Sequence, residues 1–433
     1  MYFNNPVNTS VSAGVNAVYL NQSLDDTLVA YINRAQHSLD IAVYNYIQSG
    51  SMSNIGLAVN NAYQRGVVVR WIYNGSSSNS GLSQLNSNIH TLTSPTTSGY
   101  GIMHNKFMIV DANYSNALVW TGSCNWDSEQ FNQDVNNVII FQDSALAHAY
   151  TTEFNEMWGS SGATPNSTNS KFGPFKTNNT QHNFSIDGVS VEQYFSPSDN
   201  TNDQIVNAIH SANHDLFFGV YTFTENQEAD SIISKIQNQQ VHTAGIIDQF
   251  SLSFSPYSTL SPVMGNALKV YNQSTSIYHS KMMIADPCDP NSDPLVETGS
   301  HNWTVSADTK NDENTVIIHD STIANMYYQS FYQNFLDLSG TLTPCSNSSG
   351  VEDFSAEQIN IFPNPASEIL SVDLQESNSA SVSILNSLGA FVKTEQLTLG
   401  VNAISISDLP SGFYLIQIAT RKGMINRKLI IQN

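Results

Sequence analysis

The apolar positions of the chain repeat one plan twice. LDDTLVAYINRAQHSLDIAVYNY, from Leu24, begins with apolar residues at helical spacing and runs into a short continuous apolar stretch. That order predicts an amphipathic helix followed by a buried strand. NDQIVNAIHSANHDLFFGVYTF, from Asn202, has the same plan, and Tyr44 corresponds to Tyr221, 177 positions later. A polar helix and a second apolar strand follow each, GVVVRWIYN from Gly66 and VHTAGIIDQ from Val241. Next come HNKFMIVD from His104 and HSKMMIAD from His279, 175 positions apart. TGSCNW from Thr121 and TGSHNW from Thr298 are 177 apart, and VIIF at Val138 is matched by VIIH at Val316. Each copy closes on an aromatic-rich helix, AYTTEFNEMW and MYYQSFYQNF. Alternating strands and helices predict α/β layers, and the long period predicts two equivalent halves.

Two breaks divide this pattern. Gly159 to Asn183 is rich in Ser, Thr, Asn and Pro and reads as the connector between halves. TPCSNSSGVEDFSAEQ, from Thr343, is a second connector. Beyond it, Ile359 to Asn433 shows short alternating strands punctuated by PNPAS, NSLG, LGVN and LPSGF, the spacing of a small β-sandwich. The expected organisation is a first half at 1–160, a linker at 161–183, a second half at 184–343, a linker at 344–357 and an all-β domain at 358–433.

Composition narrows the function. Of 433 residues, 40% are hydrophobic and only 12% charged, with a formal charge of −21. The apolar share excludes a disordered chain. No apolar run nears the roughly 18 residues of a membrane-spanning helix. So acidic a chain is also poorly suited to hold nucleic acid through its phosphates. The start, MYFNNPVNTSVSAG, lacks the basic and apolar regions of a signal peptide, so an exported form begins after such a segment or has lost it. Cys124, Cys288 and Cys345 offer no zinc spacing; Cys288 and Cys345, both in loop sequence, either pair or stay free. Asp289, Asn291 and Asp293 alternate as calcium ligands do, but without the Gly and terminal Glu of a calcium loop they read as a Pro-rich turn.

The chemistry lies in the repeated motif. His104, Lys106 and Asp111 recur as His279, Lys281 and Asp286 on a predicted strand. Residues two apart on a strand share a face, so His and Lys project together while Phe107, Ile109, Met282 and Ile284 anchor the other side. Gly-Ser-x-Asn follows each motif, at Gly122, Ser123, Asn125 and at Gly299, Ser300, Asn302. Two imidazoles, two ammonium groups and several neutral donors suit a phosphodiester. They supply a nucleophile, an acid for the leaving group and fixed positive charge. Residues 1–345 contain only ten Lys or Arg, yet two of them occupy matching motif positions. One copy alone would read as a core-edge histidine beside a snorkelling lysine; two intact copies point to catalysis.

On these motifs, residues 15–340 resemble the phospholipase D superfamily. The resemblance implies two α/β/α-sandwich halves related by a pseudo-twofold, with one active site between them and no metal or other cofactor. It implies two steps, in which one histidine attacks phosphorus to form a phosphohistidine and the other protonates the leaving alcohol and then activates water. His104 is expected as nucleophile and His279 as acid and base. Lys106, Lys281, Asn125 and Asn302 would hold phosphoryl oxygens, with Ser123 and Ser300 supporting them. Asp111 and Asp286 complete the motif in a supporting place. The family often adds a carboxylate to orient a histidine; Glu313 fits that role for His279, which leaves open the reversed assignment with His279 as nucleophile. Aligned on the apolar run, the first-half counterpart of Glu313 is Val135, with Asp134 on the opposite face.

FPNPASEILSV, ILNSLGAFV, GVNAISISDLPSGFYLIQI and the closing RKLIIQN resemble the C-terminal sorting domain of the type IX secretion system of Bacteroidetes. That resemblance implies export, with release or surface attachment, and the secretion machinery as partner; a β-sandwich binding module is the alternative. The expected activity is a secreted phospholipase D acting on glycerophospholipid head-groups at a membrane or vesicle surface, as a monomer. A nuclease of the same superfamily is the rival, disfavoured by charge, and a non-catalytic anion-binding surface protein is the third reading.

Overall fold

The computed structural model describes residues 1–433 except 51, 343, 345–358, 375–379, 387–390, 421–422 and 433. It divides into two units, Met1–Cys345 and Ser346–Asn433.

Within the first unit each half builds one mixed sheet. In the first, Lys106–Val110 lies antiparallel between Ser38–Val43 and Leu118–Gly122; Val68–Tyr73 and His90–Thr93 extend the sheet on one side, Asn137–Phe141 on the other. In the second, Lys281–Ala285 occupies the same central place between Asp215–Val220 and Leu295–Gly299. Both motif strands are buried along their whole length. The second sheet gains the hairpin of Asn183–Ile186 and Val189–Ser196, which pairs with Glu313–His319.

Helices cover both faces. Leu24–Ile32 packs through Leu24, Leu28 and Ile32, an i, i+4 stripe, with Asp25 and Asp26 favourably placed in its first turn. Two long helices, Ser144–Trp158 and Ser321–Asp337, are each started by an aspartate whose carboxylate accepts a backbone N–H, Asp143 from Leu146 and Asp320 from Ile323. They lie inside one core that both halves share. Phe107, Ile109, Tyr150 and Phe154 meet Met282, Ile284, Tyr327 and Phe331 there. Truncating such an aromatic to Ala costs about 3–5 kcal/mol. Two further cores, one per half, lie apart from it. The four anchors expected from strand alternation all belong to the shared core.

The connector departs from its reading as a plain linker. Phe172 and Lys176 are buried, and Gly173–Phe175 forms a 3-10 turn. The Lys176 ammonium pairs with Glu153 of the first half and, at 3.2 Å, with Asp312 of the second. A Ser/Thr/Asn-rich stretch thus contributes a buried cation that ties the halves together.

Cys124 is a free, buried thiol and Cys288 is disulfide-bonded; Cys345, the other cysteine of the open pairing, lies outside the described residues, as does most of the 344–357 linker. Asp289 caps a turn by accepting the Asn291 N–H and Asp293 pairs with His319, so the turn reading of this stretch holds.

The C-terminal unit has a three-stranded sheet of Ile359–Phe362, Ile369–Leu374 and Gly400–Ser405. A four-stranded one contains Phe391–Leu397, Ala380–Leu385, Gly412–Thr420 and Gly423–Ile431. Leu370, Val372, Ile384, Ile404, Ile416 and Leu429 form its core.

Candidate active site

Each motif histidine precedes its strand and is held from the opposite half. The His104 N–H donates to the Asp312 carbonyl at 2.9 Å. Its Nδ1 lies 2.8 Å from Oε2 and 3.0 Å from Oε1 of Glu313. His279 Nδ1 lies 3.0 Å from Oδ1 of Asn136. The expectation that Glu313 orients His279 is therefore corrected: it orients His104, and the pairing crosses between halves.

The alignment behind that expectation slipped by one residue. Ser123 Oγ donates to Asn136 Oδ1 at 2.8 Å and Ser300 Oγ to Glu313 Oε2 at 2.7 Å. Each link spans 13 positions, so Asn136, not Val135, is the counterpart of Glu313. Asp134 accepts the Ile277 N–H at 2.9 Å and the Gln130 amide, apart from either histidine ring. Matching the apolar runs moved the register by one, which on a strand exchanges faces. The spacing of the two Gly-Ser motifs, 177, was the signal that finds Asn136.

The same links relocate the serines. Both are wholly buried and engage the residues behind the histidines rather than the place of a substrate. Their glycines are required: Gly122 (φ +150°) and Gly299 (φ +155°) bring the turn so near the next strand that a Cβ would sit 2.3 Å from the Asn137 carbonyl oxygen or 2.1 Å from that of Asn314.

A second set of cross-half brackets went unread in the sequence. Thr121 Oγ1 donates to Asn314 Oδ1 at 2.6 Å and Thr298 Oγ1 to Asn137 Oδ1 at 2.9 Å. Asn314 Nδ2 donates to Asn105 Oδ1, beside His104, and Asn137 Nδ2 to Ser280 Oγ, beside His279. Tyr44 and Tyr221, legible only as repeat markers, flank the site: their rings lie 5.2 Å from His104 and 5.3 Å from His279.

Asp111 and Asp286 stand at the far ends of the motif strands. Asp111 accepts the N–H groups of Gln36, His37 and Ser38 at 2.7–2.9 Å. Asp286 does the same for Asn213, His214 and Asp215. Both have positive φ, +51° and +48°. They tie the loop before the neighbouring strand.

Charge is concentrated at the centre. Lys106 donates to the His104 carbonyl and Lys281 to the His279 carbonyl, and each ammonium lies 5.3 Å from the centroid of Tyr44 or Tyr221. Burial lowers the Lys106 ammonium to about 7 against the pull of Glu313. Burial and the neighbouring Lys106 hold Lys281 well below its ordinary value. His104 is lowered to about 4 by burial, with Glu313 opposing, and His279 well below the usual imidazole range by burial and then by Lys281. Glu313, despite burial, is held down to about 2 by His104 and Lys106. Protonated, these groups crowd one site in which Glu313 compensates both lysines and Asp134 and Asp248 also favour the Lys281 ammonium, so an entering anion relieves the repulsion that remains. Asn125 and Asn302 follow the serines; no protein acceptor takes their Nδ2 groups among the described residues, and Asn302 Oδ1 accepts the Thr222 N–H.

A family profile described as "Cardiolipin synthase, PLD-like domain" matches residues 28–158 and again 205–335. The chain belongs to the phospholipase D-like family. It carries that family's domain twice within one chain. A second profile, "Secretion system C-terminal sorting domain", matches 360–432 and indicates type IX export to the cell surface or beyond. Among the described residues no helix is long and apolar enough to cross a membrane. The mitochondrial cardiolipin hydrolase of Xenopus tropicalis is 32% identical over 134 residues, 30% of this chain and 59% of that protein. A phospholipase D of Rickettsia prowazekii is 29% identical over 163 residues, 36% of this chain and 76% of that one. The phosphatidylserine synthase of Haemophilus influenzae shares the fold, with a TM-score of 0.50 and 10% identity over 75% of this chain and 86% of that one.

The unequal partners of the two rings give a direct test. An amide on His279 Nδ1 stabilises an imidazolium less than a carboxylate does. Asn136→Asp is expected to raise the His279 pKa from its native place well below the usual imidazole range, shifting the ring's titration toward neutral pH. NMR titration of the ring signals checks this; an unmoved titration rejects the contact as the control on that ring.

Proposed function

We propose that the protein is a secreted, metal-independent phospholipase D that releases the head-group alcohol of glycerophospholipids and leaves phosphatidic acid. The observation that carries the reading is the pair of oppositely supported imidazoles between two buried lysines.

His104 is the nucleophile. Its Nδ1–H is donated to Glu313, which leaves the Nε2 lone pair free, and the low pKa keeps the ring neutral at pH 7. Nε2 attacks phosphorus, a P–N bond forms and the P–O bond to the leaving alcohol breaks. The alcohol takes its proton from His279. The negative charge of the bound phosphodiester favours the protonated ring needed for that step. Water then attacks phosphorus, gives a proton to His279, and the P–N bond breaks. Glu313 stabilises the charge that develops on His104. Lys106, Lys281 and the Nδ2 groups of Asn125 and Asn302 hold the phosphoryl oxygens.

Lipid is favoured over nucleic acid because one head-group phosphate needs only this pocket, whereas a strand needs a basic track. Ten basic residues in 345 are too few to lay one. With EDTA present, the protein is expected to release choline or ethanolamine from vesicles faster than it cuts single-stranded DNA at the same salt. Faster DNA cleavage assigns the nuclease reading instead, and complete loss of activity in EDTA rejects the metal-independent mechanism.

A further inference from the structure

Two lips, one pinned behind Tyr44 and the other behind Tyr221, are built alike and finished differently. In the first half the loop after Val68–Tyr73 is pinned by Ser77, whose Oγ donates to the Tyr44 carbonyl at 2.8 Å. In the second half the turn Gln249–Ser253 is pinned by Ser251, whose Oγ donates to the Tyr221 carbonyl at 2.9 Å. Ser76 and Ser78 flank the first pin; Phe250 and Leu252 flank the second. Ser251 is wholly buried, while Phe250 and Leu252 are 55% and 40% exposed.

This apolar lip is braced by hydrogen bonds and stacked rings and is continuous with the site. Asp248 accepts the Phe250 N–H at 3.0 Å through Oδ1 and the Tyr278 N–H, next to His279, at 2.9 Å through Oδ2. The Phe250 ring stacks on Tyr221 with centroids 5.7 Å apart and an interplanar angle of 18°, and Tyr221 in turn tilts over His279. Phe254 packs against Phe250 at 6.0 Å. Residues 249–268 contain no Asp, Glu, Lys or Arg.

We infer that the 249–254 turn is an interfacial anchor, which seats the cleft on an electrically neutral lipid surface by burying Phe250 and Leu252 among head-groups and upper acyl chains. Exposed Phe and Leu side chains gain by burial at that boundary. The partner is neutral because a chain of net charge −21 is repelled by an anionic leaflet and the turn has no cation to offset this. The same lack of cations separates the lip from a base-stacking platform, which works beside a positive backbone track.

The inference rests on the lipid reading proposed above, and the test separates the two. Full-length protein is measured for sedimentation with phosphatidylcholine vesicles and phosphatidylglycerol vesicles, and for turnover of vesicles and of monomeric short-chain phosphatidylcholine. The double variant Phe250→Ser with Leu252→Ser, which copies the opposite lip, is expected to lose at least tenfold in phosphatidylcholine vesicle binding and to raise KM on vesicles, with monomer turnover within twofold. Phe250→Trp with Leu252→Trp keeps or strengthens vesicle binding. Unchanged vesicle binding in the Ser variant overturns the anchor, as does a parallel fall in monomer turnover or in single-stranded DNA cleavage. Wild-type binding to phosphatidylglycerol equal to or tighter than to phosphatidylcholine overturns the choice of a neutral surface. Wild-type protein inert on the monomeric lipid defeats the phospholipase reading itself, a result distinct from all of these.

Discussion

Substituting Ala for His104 is expected to abolish turnover of any phosphodiester, a fall of at least about 10⁴-fold, because in the proposed mechanism it removes the atom that bonds to phosphorus. His279→Ala is expected to fail differently. With a nitrophenyl phosphodiester, whose leaving group needs no proton, His104 still attacks and releases about one equivalent of nitrophenol per site before stalling as the phosphoenzyme. Rapid-quench measurement of that burst separates the roles. A burst in the His104 variant and none in the His279 variant reverses the assignment; steady turnover surviving in either rejects the two-histidine mechanism.

A large loss of stability is expected from a residue outside the motifs. Lys176→Met leaves Glu153 and Asp312 buried without their cation, and breaking such a pair costs about 3–5 kcal/mol. The pH dependence identifies the cause. Burial raises the Glu153 carboxyl to about 7 and the Asp312 carboxyl to about 6, with Lys176 opposing; without that ammonium both rise further. A carboxyl whose folded pKa is raised contributes stability that is present at low pH and lost as pH climbs through the folded value. The deficit of the variant against wild type should therefore be greatest near pH 8 and shrink toward pH 5.5, as read from urea midpoints. A deficit independent of pH would mean lost packing rather than unpaired charge. Because the Asp312 carbonyl holds the His104 N–H, the variant should also lose kcat more than KM.

Much of the molecule was legible before folding. Strand alternation determined that Phe107, Ile109, Met282 and Ile284 face a core, and that each His and Lys project together. The 177-residue period determined two halves, and the turn-rich tail determined a separate all-β unit. Apart from the repeat, which comparing distant segments reveals, these features are local, since the period of side-chain direction and the chemistry of turns are written within a dozen residues.

What the tertiary structure alone decided is which residue serves which ring. Glu313 reaches His104 and Asn136 reaches His279 because the halves pack face to face, so each strand delivers its support across the interface rather than to its own motif. Lys176 became a clamp for the same reason: its two carboxylates come from opposite halves, and no reading of a Ser-rich connector shows what will surround it. Phe250 comes to lie on Tyr221 only through the fold, which also gives the Ser77 lip the matching place behind Tyr44. Spacing along a chain determines faces; partners some 200 positions away are chosen by packing, where burial makes an unpaired charge too costly to leave alone.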